Sequence, residues 1–98
     1  MGPLTARTPL PAAPAQRVSS GMKRSLLVNH LAQVERHIRE GERHIFRQRE
    51  IVNELERHGH GNSQTAKMAR DVLDSFEMTQ LAHLSDRAHL MQALREIT

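Results

Sequence analysis

The chain has no cysteine, no tryptophan and no tyrosine, and only two phenylalanines in 98 residues. Without cysteine there is no disulfide, no thiolate nucleophile and no cysteine-based zinc or iron–sulfur centre. So few aromatics leave little with which to fill a β-sandwich or barrel, whose cores lean on aromatic and β-branched side chains. Proline stops at Pro14, and beyond it glycine occurs only at positions 21, 41, 59 and 61. A long stretch free of helix breakers is itself a helix signal. No apolar run approaches the ~20 residues needed to span a bilayer. Charge is mixed rather than one-sided, 14 Lys and Arg against 11 Asp and Glu, for a formal +3. One small, helical, soluble domain without a cofactor is what these figures point to.

Residues 1–22 hold all four prolines and carry only Arg7 and Arg17 as charges. A segment this poor in large apolar side chains buries too little to offset its ordering entropy, and it reads as a disordered tail. It is not a secretory signal, because the Pro-Ala stretch offers no continuous apolar core. Nor is it a myristoylation site, which needs Ser or Thr where this chain has Ala6. Its Arg, Ser and Thr without acids match the composition of an organellar transit peptide, but the amphipathic pattern is missing. Met22, opening the run Met-Lys-Arg-Ser-Leu-Leu, is a second candidate start.

Past the tail the apolar spacing is regular. Leu27, Val34, Gly41, Gln48 and Leu55 alternate in steps of four and three with Leu31, Ile38, Ile45 and Val52, and seven of these nine are apolar. This is the a/d pattern of a heptad repeat, with a period of ~3.5 residues. The phrase Glu35-Arg36-His37-Ile38 recurs one heptad later as Glu42-Arg43-His44-Ile45. A first helix is predicted over about 23–58. Gly59 and Gly61 then supply a turn at 59–62, with Asn62 or Ser63 as cap, and a second helix is predicted over about 63–97. On that helix Ala69, Leu73, Phe76, Gln80, Leu84 and Met91 follow an 11-residue rather than a 7-residue repeat, and Leu94 closes its apolar face.

A short loop between two long helices makes them antiparallel. Centring the turn near 60–61 sets Leu55 against Ala66, Val52 against Ala69, Ile45 against Phe76 and Leu27 against Leu94. It also sets Gly41 against Gln80, His37 near His83, and His44 near Glu77. The predicted fold is thus all-α, a two-helix coiled-coil-like hairpin. Its single seam offsets poorly the entropy of ordering some 70 residues at roughly 1.5 kcal/mol each. Leu26, Val28, Phe46 and Ile51 on the first helix, and Met68, Met78 and Leu90 on the second, fall off the seam. Two hairpins associating into a C2 four-helix bundle would use them, so a homodimer is expected.

Four constellations bear on chemistry. His30, His37 and His44 recur every seven residues along one edge of the first seam, and His83 falls near His37. His37, His44 and His83 are therefore candidate metal ligands, or a stripe whose protonation re-pairs the bundle. The opposing reading is a row of half-buried seam-edge histidines partnered by acids such as Glu40. Successive heptad positions lie ~10 Å apart, too far for two of them to share one ion without help from the second helix. A di-iron bundle fails on ligand count, since only Asp86-Arg87-Ala88-His89 approaches the required motif. Arg36, Arg39, Arg43 and Arg47 share an outer face that would meet phosphates, but glutamates are interleaved with them and no aromatic is present to stack bases. The serines have no glycine elbow and no phosphate-cradling loop exists, so no catalytic residue is assigned.

The run His37-Ile38-Arg39-Glu40-Gly41-Glu42-Arg43-His44-Ile45-Phe46-Arg47-Gln48-Arg49-Glu50, with Leu73-Asp74-Ser75-Phe76-Glu77-Met78-Thr79-Gln80, is similar to short uncharacterised helical-hairpin proteins common in rhizobial and related alphaproteobacterial genomes. The resemblance covers about residues 30–95. It implies a bacterial, cytoplasmic hairpin and carries no known activity, cofactor or binding residue. The function expected from the sequence is a non-enzymatic, self-associating structural or protein-interaction module, with an unidentified protein partner as a further possibility. The alternatives are a histidine-dependent metal or pH sensor and a weak nucleic-acid binder using the arginine face. No membrane association is expected, because the polar faces hold too many acids.

Overall fold

The computed structural model describes residues 20–97 of the chain. It consists of two α-helices, α1 (Ser20–Arg57) and α2 (Gln64–Glu96), packed on each other. Among the described residues there is no strand, and no helix is long and apolar enough to cross a membrane. Most of the predicted tail lies outside the described residues. Its last three residues, Ser20–Met22, are helical and extend α1 one turn earlier than expected. The 38 residues of α1 make a rod of ~57 Å at the usual rise per residue.

The turn is built from local chemistry. The Gly59 amide donates to the Glu56 carbonyl at 3.2 Å, and the His60 amide donates to the Leu55 carbonyl at 2.8 Å. These two bonds are the pair that closes a helix when the next residue is left-handed, and Gly59 adopts φ +77°. On the other side Ser63 caps α2. Its Oγ accepts from the Ala66 amide at 3.1 Å and donates to the His60 carbonyl at 2.7 Å. One hydroxyl therefore fastens the start of α2 to the end of the turn. Leu55, half-buried, and Ala66, buried, stand closest to this closure.

The seam on α1 runs through Leu27, Leu31, Val34, Ile38, Gly41, Ile45, Gln48, Val52 and Leu55, all buried or half-buried. On α2 the repeat differs from expectation. The buried and half-buried series is Ala66, Ala69, Leu73, Phe76, Gln80, His83, Arg87, Leu90 and Leu94, continued by Ile97 at the helix C-cap. Its steps of three and four make a strict seven-residue repeat. Three successive places in it are polar, which disguises the repeat, while Leu84 and Met91 sit beside the seam rather than on it. Leu84 is half-buried at its edge; Met91, expected within it, is 42% exposed. Leu90, expected off the seam, belongs to it.

The two flanks of the seam differ. On one, Arg49 meets Glu77 at 2.9 Å and Glu56 meets Arg70 at 3.5 Å. Both pairs are substantially exposed, so each contributes at most about 1 kcal/mol and mainly fixes register. On the other flank lie His30, His37, His44 and Thr79. Polar ties also cross the seam itself, where Gln48 Nε2 donates to the Ala69 carbonyl at 2.9 Å. The core is correspondingly thin: Val34, Ile38, Val52, Ala66 and Ala69 are its buried apolar residues, and among the described residues no large side chain is fully enclosed.

Candidate functional site

The most structured feature of the surface is a cleft on the histidine flank, at the level of Gly41. An α-helix seam ordinarily fills this place with a branched apolar side chain. Here α1 presents a bare backbone, and the long side chain of Gln80 lies across it. A Cβ at position 41 would stand 2.9 Å from Gln80 Cδ and closer still to Oε1. Gln80 is 8% exposed, and its Nε2 donates to the Ile38 carbonyl at 2.9 Å. Its Oε1 is buried without a hydrogen-bond partner. An orphaned amide oxygen in this setting costs about 1–3 kcal/mol relative to one that is satisfied.

Around this point the cleft, of about 360 Å³, is lined by His37, Glu40, Gly41, His44, Phe76, Thr79, Gln80 and His83. The His37 and His83 rings come together with centroids 5.2 Å apart and planes tilted by 47°. His44 packs instead on Phe76, centroids 5.5 Å apart. The expected approach of His44 to Glu77 does not occur. Glu77 belongs to the opposite flank and is held there by Arg49. Of the three candidate metal ligands, two therefore meet across the helices and the third is taken up by an aromatic ring. Among the described residues no group of three or more His, Asp or Glu is placed to hold a metal ion. Two neighbouring imidazoles without a third ligand are a weak chelate.

A second hollow, about 500 Å³, lies on the outer face of α1 around Phe46, bordered by Arg39, Glu42, Arg43, Arg47 and Glu50. Acids alternate there with arginines, so the arginine face offers no continuous positive path for a phosphate backbone. Phe46 itself is 66% exposed. No protein-family model, no curated protein and no solved structure matches this chain.

Proposed function

We propose that the chain is a non-enzymatic structural or protein-interaction module whose hairpins pair into a four-helix bundle. The observation that supports this reading is the distribution of apolar side chains. Among the described residues five apolar ones are buried between α1 and α2, whereas ten large ones, among them Phe46, Met78 and Leu81, remain exposed. Helical domains normally bury such surface in a second layer of helices, and an isolated pair has none. The resemblance to rhizobial hairpin proteins is in keeping with a bacterial, cytoplasmic setting for such a module. Sedimentation equilibrium of the full chain at micromolar concentration is expected to give twice the 11.2 kDa chain mass. A well-folded species at the single-chain mass removes the reading.

The His37–His83 contact favours a second reading, a histidine-dependent metal or pH sensor on the same bundle. Native mass spectrometry with added zinc tests it. One tightly held ion per chain, lost in both His37→Ala and His83→Ala, would put this reading ahead of the first. With two imidazoles and, among the described residues, no group of three ligands placed to hold an ion, the expected result is weak, non-stoichiometric adducts.

A further inference from the structure

We infer that the second copy docks on the flank opposite the histidines, through a second apolar stripe on α2 formed by Leu81, Leu84, Ala88 and Met91, with the two α2 helices antiparallel about a two-fold axis. The inference rests on the self-association proposed above and adds which face is used and in what register.

The stripe follows from spacing and from the ion pairs. Leu81, Leu84, Ala88 and Met91 stand 4, 7, 11 and 14 residues beyond Glu77, offsets that keep them on its side of an α-helix. That side is fixed by the Glu77–Arg49 pair. Their own steps of three, four and three form a second a/d series beside the seam. Nothing in the hairpin covers it: Leu81 is 65% exposed, Ala88 and Met91 are exposed, and only Leu84 tucks its edge toward α1. Nearer the turn the same flank carries the ion pairs of Glu77 and Arg70. The apolar stripe begins where the ion-paired region ends.

Charge and size select the occupant. Laid antiparallel on itself about an axis near Asp86, the stripe pairs Leu81 with Met91 and Leu84 with Ala88, a large residue meeting a small one on each side of the centre. The same register brings Arg95 of each copy to Glu77 of the other, adding a cation to a carboxylate that Arg49 already holds. A parallel arrangement would set Glu77 against Glu77 and Arg95 against Arg95, which like-charge repulsion disfavours. The histidine flank offers no comparable series: Ile51, Val72 and Met68 cluster toward the turn, and Leu26, four residues before His30, stands apart from them at the open end. The sequence is thus self-complementary along this one stripe, as a closed two-fold interface requires.

Sedimentation of the full chain and of three variants, each checked for helical content by circular dichroism, tests the assignment. Ala88→Glu and Leu81→Glu are expected to raise the dimer dissociation constant by roughly 100-fold or more, as burying a charge at an interface centre does, with helicity retained. Val72→Glu, on the histidine flank, is expected to leave it within about threefold of wild type. Because the chain has no cysteine, a mixture of Leu84→Cys and Ala88→Cys chains is expected to form the mixed disulfide in preference to either homodisulfide. A monomeric wild type removes self-association altogether. A wild-type dimer that survives Ala88→Glu and Leu81→Glu, or one that fails to form the mixed disulfide, leaves self-association standing and overturns the stripe and its register.

Discussion

Gly41→Ala is expected to destabilise the protein, although the same change in an ordinary helix interior stabilises it by about 1 kcal/mol. The methyl group would enter space held by the Gln80 amide, whose Cδ lies 2.9 Å from where the Cβ must go. Gln80 is buried and tied to the Ile38 carbonyl, so it yields only by breaking that bond or by pushing the helices apart. Overpacking of this kind costs about 1–3 kcal/mol, enough to outweigh the helix-propensity gain. The decisive measurement is a double-mutant cycle by chemical denaturation. In a Gln80→Ala background the obstruction is gone, and Gly41→Ala is expected to become stabilising by about 0.5–1 kcal/mol. If the substitution has the same sign in both backgrounds, the two residues are not in competition for that space.

Ile38→Ala is expected to have the largest effect of any single truncation. Ile38 is 5% exposed at the centre of the seam, and its carbonyl receives the Gln80 amide. Deleting three carbons there costs about 2–5 kcal/mol, the spread reflecting how far the surroundings relax. Small domains rarely hold more than a few kcal/mol in reserve. With five buried apolar residues in the hairpin, the loss is comparable with its whole stability. The midpoint of urea unfolding, followed by the helical signal, should collapse toward zero denaturant. The equivalent truncation at Ile51, exposed on the histidine flank, is expected to shift it little. An Ile38→Ala protein as stable as Ile51→Ala would place the core elsewhere.

How much of this was legible depended on which helix is considered. The seam of α1 announces itself because seven of its nine places hold apolar residues. The turn was legible for a comparable reason: Gly59 is where a left-handed residue is needed, and Ser63 can cap. From the turn alone the opposition of Gly41 and Gln80 followed. The α2 seam did not read correctly, because Gln80, His83 and Arg87 occupy three successive places while Leu81, Leu84 and Met91 lie just outside. Hydrophobicity traced a path that drifts from the seam onto the flank, and two seven-residue series looked like one longer repeat. Counting sevens onward from Ala66 and Ala69, whatever residues they met, would have recovered it. Of the candidate site, the His37–His83 approach was legible from register. The partner of His44 was not, since register says how far along a helix a residue lies and not on which flank, and Arg49 claims Glu77 from the other side.

The closed turn also has a consequence for how the hairpin assembles. Moving away from it, the cross-helix bonds join residues 14, 21, 28 and 42 positions apart, from Glu56–Arg70 through Gln48–Ala69 and Arg49–Glu77 to Gln80–Ile38. Each bond, once made, shortens the free chain that the next must close, so the entropic cost is met in small increments rather than in one large loop. Loop-closure entropy therefore favours pairing that advances from the Gly59 turn toward the open end, and fraying that starts from the open end is the expected reverse. The Leu81–Met91 stripe lies beyond the ion-paired half, in the part expected to close late. A second copy seated there would clasp the two helices where they are most ready to part.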